Sequence, residues 1–191
     1  MREKERDMEL ILASGSPRRR ELLSLYTTDF TVCVSDFDES TVTADTPAHL
    51  VEQLARGKCL AVSAQHPGAV VIGCDTVVDV NGEVFGKPHS EEDAKRMLRA
   101  LSGATHEVHT GVCISDGART ESFVDSCRVT FFPLGEEEID FYASTAEPYD
   151  KAGAYAIQGR AALWLDRIEG DYYPIMGLPV SRTVQLLAHF V

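Results

Sequence analysis

The chain has 191 residues, enough for one ordinary domain or for one domain with two lobes around a cleft. Its 44% hydrophobic and 25% charged residues are typical of a globular protein and argue against disorder. With 18 Lys and Arg against 30 Asp and Glu, the net charge of −12 repels nucleic-acid backbones and disfavours a nucleic-acid binder. A single polyphosphate ligand stays compatible with this charge if a few cations gather locally or a divalent metal screens it.

The cysteines and the first residues indicate the compartment. Five cysteines lie scattered with no C-x-x-C pair, which argues against a disulfide scaffold and a tetrahedral zinc site and fits a reducing cytosol. Residues 1–8 are charged and lack an apolar core, so we expect a solvated tail in front of one domain over residues 9–191. No later stretch is apolar enough to span a bilayer, and the prediction is a cytoplasmic protein without membrane contact.

The first third of the chain predicts alternating strands and helices. Ser16 is a good N-cap and Pro17 a good first helical residue, because proline lacks the N–H that would be unpaired there. A later helix carries an apolar stripe of Leu50, Leu54 and Ala61. The predicted elements are strand Met8–Ala13, helix Arg18–Leu25, strand Phe30–Ser35 and a long helix opened by Thr46-Pro47.

The remaining chain predicts hairpins between its helices. Asn81-Gly82 is a strong hairpin turn, and Ser90 caps a helix with acidic residues in its first turn. The predicted strands are Ala69–Gly73, Val77–Val80, Glu83–Phe85, His106–Ser115, Glu121–Phe132 and Ala162–Ile168. The predicted helices begin at Ser90, cover Glu136–Ala143, and begin at Leu178-Pro179, the last with Val180, Val184 and Leu187 inward. The pattern favours an α/β fold with a mixed sheet.

Small residues followed by three arginines form the first candidate site. Ser14-Gly15-Ser16-Pro17 lets a ligand approach the backbone, and the helix start offers free N–H groups. Arg18, Arg19 and Arg20 add fixed charge that suits phosphate oxygens. The alternative is an ordinary capped helix with solvated arginines.

Asp75 is the second candidate, because it ends an apolar run where open α/β sheets place ligands. A carboxylate there could take a proton from water or bind a metal, and the alternative is a turn aspartate bonded to its own backbone. Asp79 would share its face but lie roughly 13 Å away along a strand, so the two cannot chelate one ion. His106 and His109 would point to opposite faces, which disfavours a shared metal.

The stretch Tyr149–Gly159 is the third candidate. Its small residues and charge pair suit a loop folded around a ligand, and Gln158 could read a base edge with paired donor and acceptor groups. A flexible surface loop is the alternative. Isolated charges at Glu39, Lys58 and Lys87 could bind a metal or phosphates, although most such groups are only hydrated.

Six motifs in order give the chain a family resemblance. They are Leu12–Arg19, Gly73–Val78, Leu101-Ser102-Gly103, Asp150–Tyr155, Ile157-Gln158-Gly159 and Gly177-Leu178-Pro179. Together they resemble the Maf family of nucleoside triphosphate pyrophosphatases, from about Leu10 to the final helix. The resemblance implies hydrolysis between the α- and β-phosphates with a divalent cation, Mg²⁺ or Mn²⁺. It also implies an elongated α/β fold related to inosine triphosphate pyrophosphatases, with the site in a cleft between two lobes.

The same resemblance implies roles for particular residues. Asp75 matches the general base, and Glu39 and Asp75 are the candidate metal ligands. The positions implied for substrate binding are Ser14, Arg18, Arg19, Lys58, Thr76, Lys87, Lys151 and Gln158. The Ile-Gln-Gly form of the third loop resembles the branch that prefers dTTP and UTP. A modified purine triphosphate such as 7-methyl-GTP, or a regulatory protein that binds nucleotide without turnover, are the alternatives, and a homodimer stays open.

Overall fold

A mixed sheet with helices on both sides organises the computed structural model, which describes residues 8–190; residues 1–7 of the expected tail and Val191 lie outside the described part. Met8, the last residue of that expected tail, is half-buried against the core. The described strands are β1 (Leu10–Ala13), β2 (Thr31–Val32), β3 (Val70–Val80), β4 (Glu83–Phe85), β5 (Thr105–Ser115), β6 (Thr120–Phe131) and β7 (Leu165–Glu169). The described α-helices are α1 (Pro17–Leu23), α2 (Pro47–Gln65), α3 (Glu91–Leu101), α4 (Glu136–Ala143), α5 (Tyr173–Met176) and α6 (Val180–Leu187).

The sheet combines a parallel part with an antiparallel part. Its order is β2-β1-β3-β5-β6-β7, and β4 pairs with β3 as a hairpin. β1 runs parallel to β2 and β3, whereas the pairs β3–β5, β5–β6 and β6–β7 are antiparallel. This arrangement confirms the α/β fold with a mixed sheet.

One edge of β3 has a gap in its pairing. β1 pairs with Val70–Gly73 and β4 pairs with Val78–Val80 on that edge, which leaves Cys74–Val77 without a strand neighbour there. We call Cys74–Val77 the open edge. Asp75 therefore lies in the middle of a continuous strand, which differs from the expected place after a strand end. β5 pairs along the opposite edge throughout and keeps the stretch extended.

Three sets of buried side chains lie along the sheet. Two contain residues of β1 and of the first half of β3, as in Leu12 for one set and Ile11 for the other, and the third contains Val78 and Phe85. The open edge falls between the first two sets and the third, so both sides of the gap are supported. This agrees with the expected two lobes around a cleft.

Helix α2 packs directly on the sheet at Gly73. A Cβ added there would lie 2.4 Å from the backbone oxygen of Ala55, so only glycine permits this approach. The face that α2 buries differs from the expected stripe: Leu54 is buried, but Leu50 and Ala61 are only half-buried. The residues that α2 does bury are Val51, Leu54, Ala55, Cys59, Val62 and Ser63.

Three further expectations about single elements need correction. The second strand is limited to Thr31–Val32, because only these residues pair with β1. The start of the expected strand Ala162–Ile168 belongs to a 3-10 helix, Arg160–Trp164, and pairing begins only at Leu165. In the last helix, Leu187 is buried as expected, whereas Val180 and Val184 are half-buried.

Candidate active site

A cavity of about 870 Å³ opens beside the open edge of β3. That volume lies within the range of small-molecule sites, roughly 300–1,000 Å³. All the site residues expected from the sequence line it: Ser14, Arg18, Arg19, Glu39, Lys58, Asp75, Thr76, Lys87, Lys151 and Gln158. The chain thus brings together groups that lie up to 144 positions apart in the sequence, from Ser14 to Gln158.

Arg19 ties the start of α1 to the open edge. The Ser16 side chain caps α1, which sets the first turn and places Arg19 over the strand. Its Nη1 donates to the Cys74 carbonyl at 2.9 Å, and its Nη2 donates to Thr76 Oγ1 at 3.0 Å. Its Nε donates to the Gly177 carbonyl at 2.8 Å. The guanidinium is therefore fixed by three groups from two segments, and the Cys74 carbonyl that accepts from it belongs to the open edge of β3.

Lys58 and Asp75 form an ion pair at the centre of the cavity. Lys58 Nζ donates to Asp75 Oδ1 at 2.6 Å and lies 3.0 Å from Glu39 Oε1. The side chains of Lys58 and Asp75 are only 14% and 12% exposed, whereas Glu39 is 56% exposed. Because Lys58 takes Oδ1, Asp75 Oδ2 is the oxygen left for a water or another ligand. Two carboxylates that converge on one cation form a hard-oxygen donor set of the kind Mg²⁺ and Mn²⁺ prefer.

Two of the expected phosphate-binding cations share one acidic partner. Arg18 Nη1 donates to Asp150 Oδ2 at 2.9 Å, and Lys151 makes an ion pair with the other oxygen of the same carboxylate. Burial opposes ionisation of Asp150, but the hydrogen bonds from Lys151 and Arg18 outweigh it and lower the pKa of its carboxyl. Both cations are thus held at the cavity wall, with their charge partly balanced.

The third candidate stretch, Tyr149–Gly159, is largely buried, so a surface loop is the wrong reading for most of it. We call it the 149–159 loop. Gly153 and Ala154 both have positive φ, 70° and 61°, and residues 153–157 are buried. Tyr155 supports the loop from below through a 2.8 Å hydrogen bond between its hydroxyl and His106 Nε2. Asp150 and Gln158 are the exposed members of the loop, and both line the cavity.

The structure also separates residues that the sequence grouped and adds residues that it missed. Arg20 is exposed and lines a smaller neighbouring depression, so it does not join Arg18 and Arg19 in the cavity. His89 and Arg96 do line the cavity. Arg96 pairs with Glu83 at 2.8 Å and Asp93 at 3.1 Å, and no sequence signal distinguished it from an ordinary helix-surface arginine.

Comparison with solved structures agrees with the architecture. The chain is similar to a Staphylococcus aureus Ham1 protein, with a TM-score of 0.55, 16% identity and coverage of 95% of this chain and 98% of that one. A Ham1 protein from Coxiella burnetii gives a TM-score of 0.50 at 13% identity, with coverage of 95% and 99%. At such low identity these likenesses show the fold alone, and they agree with an open mixed sheet flanked by helices.

The fold and the cavity define an α/β protein with a cation-lined cleft at the middle strand of an open mixed sheet. The family model described as Maf-like protein matches residues 9–190, and the chain belongs to that family. It is 52% identical over 182 residues to a Symbiobacterium thermophilum protein named dTTP/UTP pyrophosphatase, covering 95% of this chain and 94% of that protein. A Bacillus velezensis protein of the same name is 49% identical over 181 residues, covering 95% and 96%.

Proposed function

We propose that this protein hydrolyses dTTP and UTP to the nucleoside monophosphate and pyrophosphate. The observation that carries the proposal is the Lys58–Asp75 pair, which lies beside Glu39 in a cleft where cations from separate segments of the chain converge. The names of the two relatives, at 49–52% identity over nearly the whole chain, support the same substrates.

Asp75 acts as the general base in this proposal. Its free Oδ2 accepts a proton from a water while that water's oxygen forms a bond to the α-phosphorus. The bond between the α-phosphorus and the oxygen that bridges to the β-phosphorus breaks, and pyrophosphate leaves with that oxygen. The Lys58 ammonium stabilises the negative charge of Asp75, and only the charged carboxylate can accept the proton.

The cations of the cleft bind and orient the triphosphate. Arg18, Lys58, Lys87 and Lys151 line the cavity together with the start of α1. Because the chain carries a net charge of −12, these cations also offset a field that repels the tetra-anionic substrate. They stabilise the charge that builds on the leaving pyrophosphate.

A divalent cation is part of the proposal, with Glu39 and Asp75 as its ligands. Their oxygens already converge on the single positive charge of Lys58, which supports a cation at this place. When bound, Mg²⁺ or Mn²⁺ would neutralise phosphate charge and polarise the phosphoryl oxygens. Removal of divalent cations with EDTA is expected to stop pyrophosphate release, and added Mg²⁺ or Mn²⁺ to restore it.

The test is a nucleotide panel with one matched pair of variants. The unaltered protein should release pyrophosphate, and no inorganic phosphate, from dTTP and UTP in preference to other triphosphates. Asp75→Asn should lower kcat by about a thousandfold, the usual scale for loss of a general base, without loss of the fold by circular dichroism. Asp166→Asn, an exposed aspartate on β7, is the control and should keep full activity.

Each outcome of this panel has a definite meaning. Full activity in Asp75→Asn would overturn its assignment as the base, and a preference for 7-methyl-GTP would replace the pyrimidine substrates with the modified purine. Binding of dTTP without any product would reject the enzyme and favour a regulatory protein.

Location and assembly stay predictions. Among the residues that the structure describes, no helix is both long and apolar enough to cross a membrane. We propose a cytoplasmic protein that binds no nucleic acid, because the charge of −12 repels phosphate backbones. Sedimentation at micromolar concentration tests the homodimer, and a duplex-binding assay at low salt tests the charge argument.

A further inference from the structure

A second polar cluster lies on the Asp75 face of the sheet, farther along β3 and β5. Asp79 pairs with Glu107, and Val77 pairs with His109, so these side chains share the face that carries Asp75. Asp79 stands four residues beyond Asp75, roughly 13 Å along the strand. The nucleotide chemistry proposed above uses none of the three polar residues, and Val77 separates them from the Lys58–Asp75 pair.

His109 is the unusual member of this cluster. It is 5% exposed, and among the described residues its Nε2 has no hydrogen-bond partner. Its other nitrogen, Nδ1, lies 2.7 Å from Ser126 Oγ, a contact that fixes the ring. Nε2 points between two carboxylates, 3.4 Å from Glu107 Oε2 and 3.7 Å from Asp79 Oδ2. Both separations are too long for good hydrogen bonds.

These separations match the spacing of ligands around one metal ion. Ligands bound at about 2.1 Å lie about 3.4 Å apart at a tetrahedral angle and about 3.6 Å apart at a trigonal one. One ligand atom from each of the three side chains lies within 4.8 Å of the others. We propose that Asp79, Glu107 and His109 bind a divalent transition-metal ion such as Mn²⁺ or Zn²⁺.

The surroundings already orient the three ligands. The hairpin turn donates from the Gly82 N–H to Asp79 Oδ1 at 2.6 Å, which leaves Oδ2 directed toward His109. Ser126 holds the imidazole from behind, as second-sphere partners of metal-bound histidines do. Arg128 lies opposite Glu107 in the β5–β6 register, but its side chain forms an ion pair with a different carboxylate, with Nη1 3.2 Å from Glu169 Oε2. The negative charge of the cluster is therefore left for a cation.

The ligand types separate this site from the one proposed at Glu39 and Asp75. An imidazole nitrogen favours Mn²⁺, Zn²⁺ and their neighbours over Mg²⁺, which prefers oxygen ligands and its own waters. The Glu39–Asp75 site is all oxygen and contains the Lys58 ammonium when no nucleotide is present. Mn²⁺ added to the nucleotide-free protein should therefore bind first at Asp79, Glu107 and His109.

The test measures Mn²⁺ binding to the nucleotide-free full chain by electron paramagnetic resonance, with excess Mg²⁺ present. We expect one tight Mn²⁺ per chain. His109→Phe and Glu107→Gln should each weaken it by more than tenfold, and Ser126→Ala by about tenfold. His66→Gln, a histidine at the far end of α2, is the matched control and should not change the affinity.

Further variants keep this test independent of folding and of the proposed activity. Glu107 is 48% exposed, so Glu107→Gln should fold normally, which thermal unfolding in EDTA checks. Asp75→Asn should keep the tight Mn²⁺ even though it stops turnover. Identical Mn²⁺ binding in the unaltered protein, His109→Phe and Glu107→Gln would overturn the site. Loss of Mn²⁺ in Asp75→Asn alone would assign the ion to the nucleotide cleft.

Discussion

The floor and the rim of the cleft are built in opposite ways. The polar floor, which we define as Arg19, Lys58, Asp75 and Thr76, is held by side-chain contacts within the protein: every one of its members bonds to another part of the chain. The 149–159 loop takes its shape from buried small residues with positive φ and from the Tyr155–His106 hydrogen bond, and it leaves Asp150 and Gln158 exposed. In the proposed function, the reaction takes place at the fixed floor, and Gln158 at the rim contacts the base.

The largest effect is expected from breaking the floor at Arg19. Arg19→Lys keeps the positive charge, but the single ammonium of lysine cannot donate to Cys74, Thr76 and Gly177 at the same time as the planar guanidinium does. The loss of two charge-assisted hydrogen bonds, at about 2 kcal/mol each, should lower kcat/KM for dTTP by about a thousandfold. Steady-state kinetics of pyrophosphate release from dTTP measures this fall in kcat/KM.

The neighbouring arginine provides the control for this change. Arg20→Lys alters the next residue of the same helix, but that side chain is exposed outside the cleft. It should keep kcat/KM within about twofold. Equal losses in Arg19→Lys and Arg20→Lys would contradict the fixed floor.

Acid should weaken the support beneath the loop. Burial lowers the pKa of His106 to about 4, below its ordinary value of 6.5. The neutral ring is therefore favoured by folding, and this stabilisation is complete above pH 6.5 and lost as the pH falls toward 4. The shift corresponds to about 3 kcal/mol. Urea unfolding at several pH values should show this loss in the unaltered protein.

The histidine responsible can be identified by substitution. His106→Gln should flatten the stability profile between pH 6.5 and 4, whereas His66→Gln should leave it unchanged. Carboxylates with lowered pKa, such as Asp116 and Glu136, lose their contribution mainly below their ordinary pKa values of 3.8 and 4.5. If the free energy of unfolding of His106→Gln fell with pH as steeply as that of the unaltered protein, groups other than His106 would cause the acid sensitivity.

The backbone of the loop is tested at Gly153. A Cβ there would lie 2.7 Å from Val78 Cγ2, and φ is +70°. Gly153→Ala should therefore lower the free energy of unfolding by about 2 kcal/mol, from strain and overlap together. Gly68→Ala separates the two causes, because φ is +88° with nothing within 4 Å, and about 1 kcal/mol is expected. If Gly153→Ala and Gly68→Ala lowered the free energy of unfolding equally, the contact with Val78 would not contribute and the positive φ alone would explain the loss.

The sequence predicts the floor better than the loop, for a physical reason. Ser16-Pro17 caps α1 locally and so sets the place of Arg19, whereas the sequence predicts Asp75 after a strand end and the structure places it inside β3. The gap at Cys74–Val77 depends on where β1 ends and β4 begins, so no local pattern reveals it. The loop takes its shape from Gly153, Ala154 and the distant His106–Tyr155 contact, and such long-range support is invisible in a short stretch of sequence.

The smallest effect is expected at the rim, where Gln158 would meet the base. Its amide can donate to a carbonyl of uracil or thymine and accept from the neighbouring ring N–H. Gln158→Glu keeps the acceptor but loses the donor, so kcat/KM for dTTP and UTP should fall about tenfold, the value of one hydrogen bond. A carboxylate can accept from the amino group of cytosine, so CTP should fall less, and the UTP-to-CTP ratio measures the change. Gln65→Glu, at the end of α2, is the control. An unchanged UTP-to-CTP ratio would show that another part of the cleft selects the base. Loss of all turnover would show that Gln158 is needed for the reaction itself, as the floor residues are.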